Sequence, residues 1–442
     1  MEPVFDDVYG AGLSRYARPA LLFMMRLPRR TYRLFSKVAQ FCVAHQLIEP
    51  GRPVVAGVSG GVDSMMLLEF LHWYSEQIDF PIVVCHVNHM IRGEEADLDE
   101  SFVQACCQEW LIPFESVTAP IEDIARETRR GVEETGRAVR RAALIEIGRH
   151  YFEKDPLSLS NDKHDDTCQS GMILDEDLKD TNYDACPSAK TSDDDVNDLN
   201  RDGAPTDEMT TFDVALGHHM DDRAESILMH IGRGSGIAGL IGIRPRDGYF
   251  VRPFLNVRLE ELIESAKELG VIWREDATNV SSDYLRNRIR QILIPAWRDV
   301  LGYDPVPRLA TLGDLAAGDE EALSKFAKKA FIEAQLPDQS LSISAVCALP
   351  RGLALRVLRL FFEEEIESDE SQDIAYGEGS HEFYTTSILA KDDVTFGAQH
   401  SVSILDLICR VDTGEITGGA LDLPGGWTAY AKNGRLFLLH KE

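Results

Sequence analysis

The stretch that most constrains the fold is VVAGVSGGVDSMMLLEFLHWY, which starts at position 54. An apolar run typical of a buried strand stops at Gly60 and Gly61 and restarts at once as an apolar helix. A plain turn is the simplest interpretation, because glycines adopt backbone angles that other residues resist. That interpretation leaves Ser59, Asp63 and Ser64 unexplained. At the first turn of a helix, hydroxyls and free backbone N–H groups suit a phosphate group, so the stretch predicts a nucleotide site.

Strand and helix patterns alternate along the first half of the chain. Apolar runs at positions 53–59, 81–88 and 213–219 each lead into a turn and a helical pattern. This alternation predicts an α/β fold with a doubly wound parallel sheet and ligand sites at the carboxyl ends of its strands. Either of two apolar faces of the first helix could contact the sheet, and they comprise Met65, Leu68 and Leu71 or Met66, Phe70 and Trp73. The expected domains are an N-terminal helical leader (1–50), an α/β domain (51–250), a helical domain (251–340) and a small mixed C-terminal domain (341–442).

The formal net charge of −29 argues against a large nucleic-acid surface, because phosphate contacts need Lys and Arg. Much of this charge is local: residues 151–210 contain 17 Asp and Glu against 5 Lys and Arg. Such a polar, acidic stretch buries too little apolar surface to fold, so we expect a disordered insertion at 154–210. A second acidic run from Phe362 has a similar composition. Any nucleic-acid contact must therefore use a local basic patch.

Other features of the sequence argue against a membrane protein, a secreted protein and a protein with a zinc or iron–sulfur site. No apolar run reaches the ~18 residues of a membrane span, and the acidic N-terminus does not resemble a signal peptide, so we expect a cytoplasmic protein without a membrane partner. The eight cysteines form no Cys-x-x-Cys pair, so neither zinc nor an iron–sulfur cluster is expected. The histidines at 86, 89, 218 and 219 could form a metal cluster, but they lack the cysteine ligands typical of zinc sites.

The loop SGGVDS at 59–64 lacks both the Walker sequence and the Gly-x-Gly-x-x-Gly fingerprint. Between a strand and a helix, it resembles the pyrophosphate loop of the N-type ATP pyrophosphatases. Three segments further along the chain carry additional motifs: HVNHMIRG (86–93), GHHMDDRAESILMHIGRGSG (217–236) and REDATNVSSDYLRNRIRQILIP (274–295). Together the four motifs resemble the tRNA(Ile)-lysidine synthetase family from about Pro53 to Trp297. The resemblance implies an adenine nucleotide alpha hydrolase-like fold.

This resemblance implies an ATP-dependent ligase. ATP would adenylate the 2-carbonyl oxygen of the wobble cytidine in a tRNA(Ile) with a CAU anticodon. L-lysine would then displace AMP, which changes the codon read from AUG to AUA. Asp63 would hold Mg²⁺ and act in catalysis with Arg137 and His218. The implied ATP-binding positions are Ser59, Gly60, Gly61, Val62, Asp63, Ser64 and His86.

The resemblance also implies the sites of the other two substrates. Asp222 and Glu225 match lysine-binding positions, and their spacing puts them on one helix face. Arg286, Asn287 and Arg290 match the family's Arg-Asn-x-x-Arg motif. Arg286 and Arg290 share a helix face suited to phosphate or base contacts, so we expect the three residues to bind tRNA as the local basic patch. A surface pair of arginines is the simpler alternative for Arg286 and Arg290. If the carboxylates bind lysine and the arginines bind tRNA, substitution of a carboxylate should raise the lysine requirement, whereas substitution of an arginine should weaken tRNA binding.

Several other residues have simpler alternatives. His86 and His219 could form turn-stabilising hydrogen bonds, and Asn88 could brace its loop. Arg137 could pair with Glu133, four residues earlier on a helix surface. The resemblance places His218 at a position near ATP.

Three positions depart from the family pattern. Gly136 replaces an alanine, which slightly weakens a helix. Arg141 replaces a tyrosine, and Arg223 replaces a glutamine after the aspartate pair. These departures put in doubt the contacts that the usual residues make.

Two other function classes remain open. A tRNA 2-thiolase of the same fold would bring paired cysteines, and only the adjacent Cys106 and Cys107 occur here. A non-catalytic nucleotide-binding relative would tolerate the loss of Asp63, which is present. The C-terminal tail could recognise the tRNA acceptor arm. The sequence does not fix the oligomeric state, for which a homodimer is one candidate.

Overall fold

The computed structural model describes residues 27–90, 94–153, 211–274, 285–369 and 396–440. The predicted insertion at 154–210 and part of the predicted N-terminal leader lie outside these residues. The first elements are α1 (Arg29–Ala44), β1 (Val54–Gly57), α2 (Val62–Ile78), β2 (Ile82–Asn88), α3 (Glu94–Glu109), β3 (Phe114–Thr118), α4 (Ile121–Thr128), α5 (Val132–Phe152), β4 (Asp213–Ala215), α6 (Met220–Arg233), α7 (Ile237–Leu240), β5 (Arg246–Asp247), β6 (Phe250–Val251) and α8 (Leu259–Leu269).

These elements form a six-stranded sheet with the order β3-β2-β1-β4-β6-β5. Five strands run parallel, and the short β5 pairs antiparallel with β6 at one edge. The central strands are apolar and buried on both faces, as expected for a parallel sheet covered by helices. The predicted doubly wound α/β fold is confirmed.

Helices cover both faces of this sheet. On one face, α2 is packed between the sheet and the helices α1 and α8. Consequently, the two apolar faces proposed for α2 are not alternatives: Met65 and Leu68 on one and Met66 and Phe70 on the other are all buried. On the other face, α5 packs against β1, β2 and β4. Its Leu144 joins a core with Phe212 and Phe250.

The second half of the chain is helical and then mixed. Its elements are α9 (Leu285–Arg288), a π-helical turn (Ile289–Leu293), α10 (Ile294–Leu301), α11 (Val306–Ala334), β7 (Leu341–Ser342), α12 (Ile343–Cys347), α13 (Arg351–Asp369), α14 (Ala398–Asp412), β8 (Gly418–Asp422), β9 (Trp427–Lys432) and β10 (Arg435–His440). The last three strands and β7 form an antiparallel sheet with the order β7-β10-β9-β8. The predicted helical region and small mixed C-terminal region are both present, and the exact domain boundaries stay predictions.

The acidic run from Phe362 differs from its expected behaviour. Its first eight residues continue the helix α13 to Asp369. Phe361 and Phe362 are buried against α14 and the C-terminal sheet, so an apolar stripe anchors this helix despite the acidic residues that follow. Among the residues that the structure describes, no helix is both long enough and apolar enough to cross a membrane.

Candidate active site

The candidate site lies where the strand order of the parallel sheet reverses. The chain proceeds from β1 to β2 and β3 on one side, whereas β4 pairs with the other side of β1. In open α/β sheets, ligands bind in the crevice outside the carboxyl ends of strands at such a switch point. Here the loops after β1 and β4 touch: a Cβ added at Gly217 would lie 3.0 Å from the carbonyl atoms of Asp63. Two of the sequence motifs therefore meet at this edge.

The glycine loop after β1 is held by its own serines. The Ser59 backbone N–H donates to Ser64 Oγ at 3.1 Å, and Ser64 Oγ donates to the Gly61 carbonyl at 2.9 Å. Gly60 has a φ of +89°, which favours glycine at this position. The loop ends at Val62, the first residue of α2, where first-turn N–H groups lack helical acceptors. This geometry is suited to a phosphate group.

Asp63 lies in the first turn of α2 with an unusual environment. Its Oδ2 is 3.7 Å from His219 Nε2. Its Oδ1 is buried and accepts no hydrogen bond from the described part of the chain. Burial raises the pKa of Asp63 to about 6, which outweighs the opposing effect of His219 and Arg290. A buried carboxylate oxygen without a hydrogen-bond partner is suited to binding a cation.

We expect this pKa to set an acidic limb in the pH dependence of catalysis. If the ionised carboxylate is needed, kcat/KM for ATP should be full above about pH 7 and fall about tenfold per pH unit below a pKa of about 6. Pyrophosphate release at a series of pH values measures this limb, and circular dichroism at each pH checks that the protein stays folded. A profile that stays flat to about pH 5 would show that the ionised form is not required.

The adjacent histidines of the motif after β4 have different environments. His219 is buried and caps α6, where its Nδ1 accepts from the Asp222 N–H at 3.4 Å. His218 has a buried Nδ1 without a hydrogen-bond partner among the described residues. Burial lowers the pKa of His218 to about 3, so its ring is neutral near pH 7. A neutral ring can donate or accept a hydrogen bond, and the catalytic role of His218 stays a prediction.

The residues after β2 brace their own loop. His86 is buried, and its Nδ1 donates to the Val58 carbonyl at 2.9 Å. Burial also lowers the pKa of His86. Asn88 donates to Asp97 at 3.0 Å and accepts from the Met90 N–H at 3.0 Å. Both side chains therefore make the turn-stabilising contacts weighed above, and ATP binding by His86 stays a prediction.

The central feature of the site is a cluster that joins α6 to the segment 285–293. Glu225 is fully buried and accepts from Arg286 Nε at 2.8 Å and from Arg290 Nη2 at 3.0 Å. Asp222 Oδ1 accepts from Nη2 of both arginines at 3.0 Å. We call Asp222, Glu225, Arg286 and Arg290 the arginine–carboxylate cluster. Asn287 lies partly buried between the two arginines on α9.

Charge interactions in the cluster fix the ionisation of Asp222. Burial alone would raise the pKa of Asp222, but His219, Arg286 and His218 together hold it well below its usual value. The Asp222 carboxyl is therefore ionised throughout the physiological range. The residues expected to bind lysine and those expected to bind tRNA neutralise each other, which the sequence reasoning did not anticipate.

Arg137 lies outside this cluster. It is exposed on α5 and donates to Glu133 at 3.2 Å, which is the surface pair considered as its simpler alternative. It nevertheless lies near enough to His218 to affect the charge of that ring. Its catalytic role stays a prediction.

Two of the residues that depart from the family pattern, Arg141 and Arg223, contact other side chains. The Arg141 guanidinium lies 3.9 Å from the centroid of the Phe250 ring and 3.4 Å from Asp247. Arg223 is buried and donates to Asp314 on α11 at 2.6 Å. Asp314 lies 91 residues further along the chain, and no local signal in the sequence points to it.

The first aspartate of the pair at 221 and 222 also has a structural role that sequence reasoning missed. Asp221 accepts from Arg258 Nη2 at 2.8 Å and from the Leu259 N–H at 2.8 Å. It thereby fixes the start of α8 against α6. Only Asp222 of this pair faces the arginines.

Comparison with known proteins gives the following similarities. The family model of the PP-loop domain matches residues 31–166 and 207–297. A curated tRNA(Ile)-lysidine synthase from Geobacter sulfurreducens is 31% identical over 332 residues, which cover 74% of this chain and 58% of that protein. A curated tRNA(Ile)-lysidine synthase from Clostridium acetobutylicum is 30% identical over 288 residues, which cover 65% of this chain and 50% of that protein. The chain thus spans between 50% and 58% of the length of these relatives.

A solved structure of a U34-tRNA thiolase from Methanococcus maripaludis is also similar. Its TM-score is 0.42 and its sequence identity is 13%, and the match covers 65% of this chain and 79% of that one. At this level of similarity it adds nothing to the assignment.

Proposed function

The chain belongs to the PP-loop domain family, and on that premise we propose that it ligates lysine to the wobble cytidine of a tRNA(Ile) with a CAU anticodon. The observation that carries this proposal is the meeting of the glycine loop, Asp63 and the carboxylates of Asp222 and Glu225 at one switch point of the sheet. The similarity to curated lysidine synthases supports the substrates. Both curated relatives described above are lysidine synthases, so neither the 2-thiolase alternative nor a non-catalytic role is favoured.

ATP would bind with its phosphates at the loop 59–64 and the first turn of α2. Backbone N–H groups there face the position where negative charge develops as pyrophosphate leaves. Asp63 would hold Mg²⁺, which would offset charge on the phosphates. Its unpartnered Oδ1 fits this role. Mg²⁺ commonly uses one or two carboxylates together with substrate phosphates, so a larger set of protein ligands is not required.

The reaction has two steps. The cytidine O2 attacks the α-phosphorus of ATP, so a bond from O2 to phosphorus forms and pyrophosphate leaves. The lysine ammonium then gives a proton to a nearby carboxylate, the neutral Nζ attacks C2 and releases a second proton to solvent, and AMP leaves with O2. Lysine arrives as a cation, so carboxylates are needed near its amine to bind it. Asp222 and Glu225, the carboxylates on α6 that contact Arg286 and Arg290, are the candidates for this role.

A pyrophosphate-release assay tests the proposal. The full chain is incubated with ATP, L-lysine and tRNA transcripts that differ only in the anticodon, and the modified base is identified by mass spectrometry. We expect release only with the CAU transcript and lysine together, with a lysine adduct on the wobble cytidine. Turnover with sulfide in place of lysine, or equal turnover with every anticodon, would contradict the proposal. The homodimer and the cytoplasmic location expected from the sequence stay predictions.

A further inference from the structure

Every carboxylate oxygen of the arginine–carboxylate cluster already accepts a hydrogen bond, so a substrate ammonium would have to compete for these acceptors. Both oxygens of Glu225 accept from guanidinium groups. Asp222 Oδ1 accepts from both arginines, and its Oδ2 accepts from the His219 N–H at 3.0 Å. Two carboxylates and two guanidiniums also balance in charge. A lysine amine would therefore bind these carboxylates more tightly if a guanidinium left.

The two arginines differ from their carboxylate partners in access to solvent. The Glu225 side chain is fully buried, whereas those of Arg286 and Arg290 are 19% and 34% exposed. The backbone beneath the arginines is anchored, because Ile289 packs with Ile227 of α6 in a small apolar core. Movement of the long arginine side chains would therefore leave the fold of this segment intact.

The backbone at this point has an unusual form. Residues Ile289–Leu293 form a π-helical turn that directly follows α9. Single π-helical turns are often found at functional sites. Arg290 lies in this turn, and it is also near enough to Asp63 to lower the pKa of that carboxyl. One side chain thus influences both the ATP loop and the lysine carboxylates.

We propose that Arg286 and Arg290 occupy the lysine carboxylates in the free protein, and that RNA phosphates draw them away so that the lysine ammonium takes their place. This inference rests on the proposed function. The ammonium restores part of the positive charge that the guanidiniums supplied to the carboxylates, and RNA phosphates neutralise the displaced arginines. Guanidinium groups suit phosphate as well as carboxylate because both anions accept two parallel hydrogen bonds. RNA and lysine then bind cooperatively, and RNA binds first.

The coupling can be measured on the unchanged protein. Calorimetric titration of L-lysine into the full chain, without ATP, is carried out with and without the CAU transcript. Coupling between two sites is typically 5- to 150-fold, and by linkage each ligand tightens the other equally. We expect lysine to bind at least about tenfold more tightly when the transcript is present. Equal lysine affinity in both titrations would overturn the inference.

A matched pair of variants tests the residues. Arg290→Gln should increase lysine affinity without RNA by about tenfold and abolish most of the coupling, because a carboxylate charge is left without its cation. Arg288→Gln is the control, since Arg288 is exposed and has no ion pair in the described ranges. It should keep the coupling of the unchanged protein. If Arg290→Gln does not fold, Arg290→Lys replaces it, and the titrations of the unchanged protein remain decisive.

The outcomes separate this inference from the proposed function. If lysidine forms but lysine binding does not depend on RNA, the coupling is wrong and the proposed function stands. If no lysine binds with RNA present and no lysidine forms, both fail. If Arg288→Gln abolishes the coupling as fully as Arg290→Gln, the effect is general electrostatics and the inference fails.

Discussion

Replacing Asp63 with asparagine is expected to slow ATP-dependent pyrophosphate release by at least about 100-fold, which corresponds to about 2.7 kcal/mol. Its Oδ1 is buried without a partner in the described structure, at the point where the glycine loop enters α2. The amide keeps the size of the side chain but removes the charge that a metal or a phosphate-bound cation needs. Steady-state assays at saturating ATP, lysine and tRNA measure the loss.

The stability of the same variant distinguishes a catalytic role from a structural one. The folded pKa of Asp63 is about 6, above its usual value of 3.8, so the folded state disfavours the charged carboxyl. This group therefore stabilises the fold at low pH, and the contribution is lost as the pH rises toward 6. At pH 7, Asp63→Asn should keep or raise the Tm. A lower Tm, or retention of more than a tenth of the turnover, would contradict the assignment.

Replacing Glu225 with glutamine is expected to have the largest effect on stability. Glu225 is fully buried and accepts from both Arg286 and Arg290. Removing one partner from a buried ion pair costs about 3 to 5 kcal/mol, because the remaining charges lose their compensation. Chemical denaturation and thermal melting of the variant measure this loss.

A surface pair supplies the matched control for this variant. Glu133 pairs with Arg137 at 3.2 Å, and both side chains are more than half exposed. Exposed pairs contribute about 0 to 1 kcal/mol, so Glu133→Gln should leave the stability nearly unchanged. If Glu225→Gln is as stable as Glu133→Gln, the ion pairs of Glu225 with Arg286 and Arg290 contribute little to the stability of the free protein.

We also expect the binding of lysine and the binding of RNA to be coupled through the arginine–carboxylate cluster. From the sequence, we expected the carboxylate substitutions to affect only lysine binding and the arginine substitutions to affect only tRNA binding. Since these side chains contact one another, substitution of either pair should alter both lysine and RNA binding. A double-mutant cycle of Glu225 and Arg290 would give the coupling between them directly.

The sequence by itself determined the local features of this protein. The strand, the glycine turn and the helix from position 54 onward follow from apolar periodicity and from glycine, and these depend on neighbours within a few residues. The alternation of strands and helices determined the parallel sheet, because such strands need crossover helices. The carboxyl ends of these strands then had to lie at one edge of the sheet, but only the tertiary structure made β1 and β4 neighbours and so placed Asp63 near His219 and Asp222.

Only the tertiary structure decided which charged groups pair. Arg286 and Arg290 meet Glu225 across 61 and 65 residues, and Arg223 meets Asp314 across 91. Charged side chains carry no periodic signal that names a distant partner, so local patterns could assign Arg286 and Arg290 only to a surface. The same holds for the raised pKa of Asp63, which is set mainly by burial. Burial and pairing depend on how distant segments pack, and that packing decides whether the carboxylates of Asp222 and Glu225 are open or paired in the free protein.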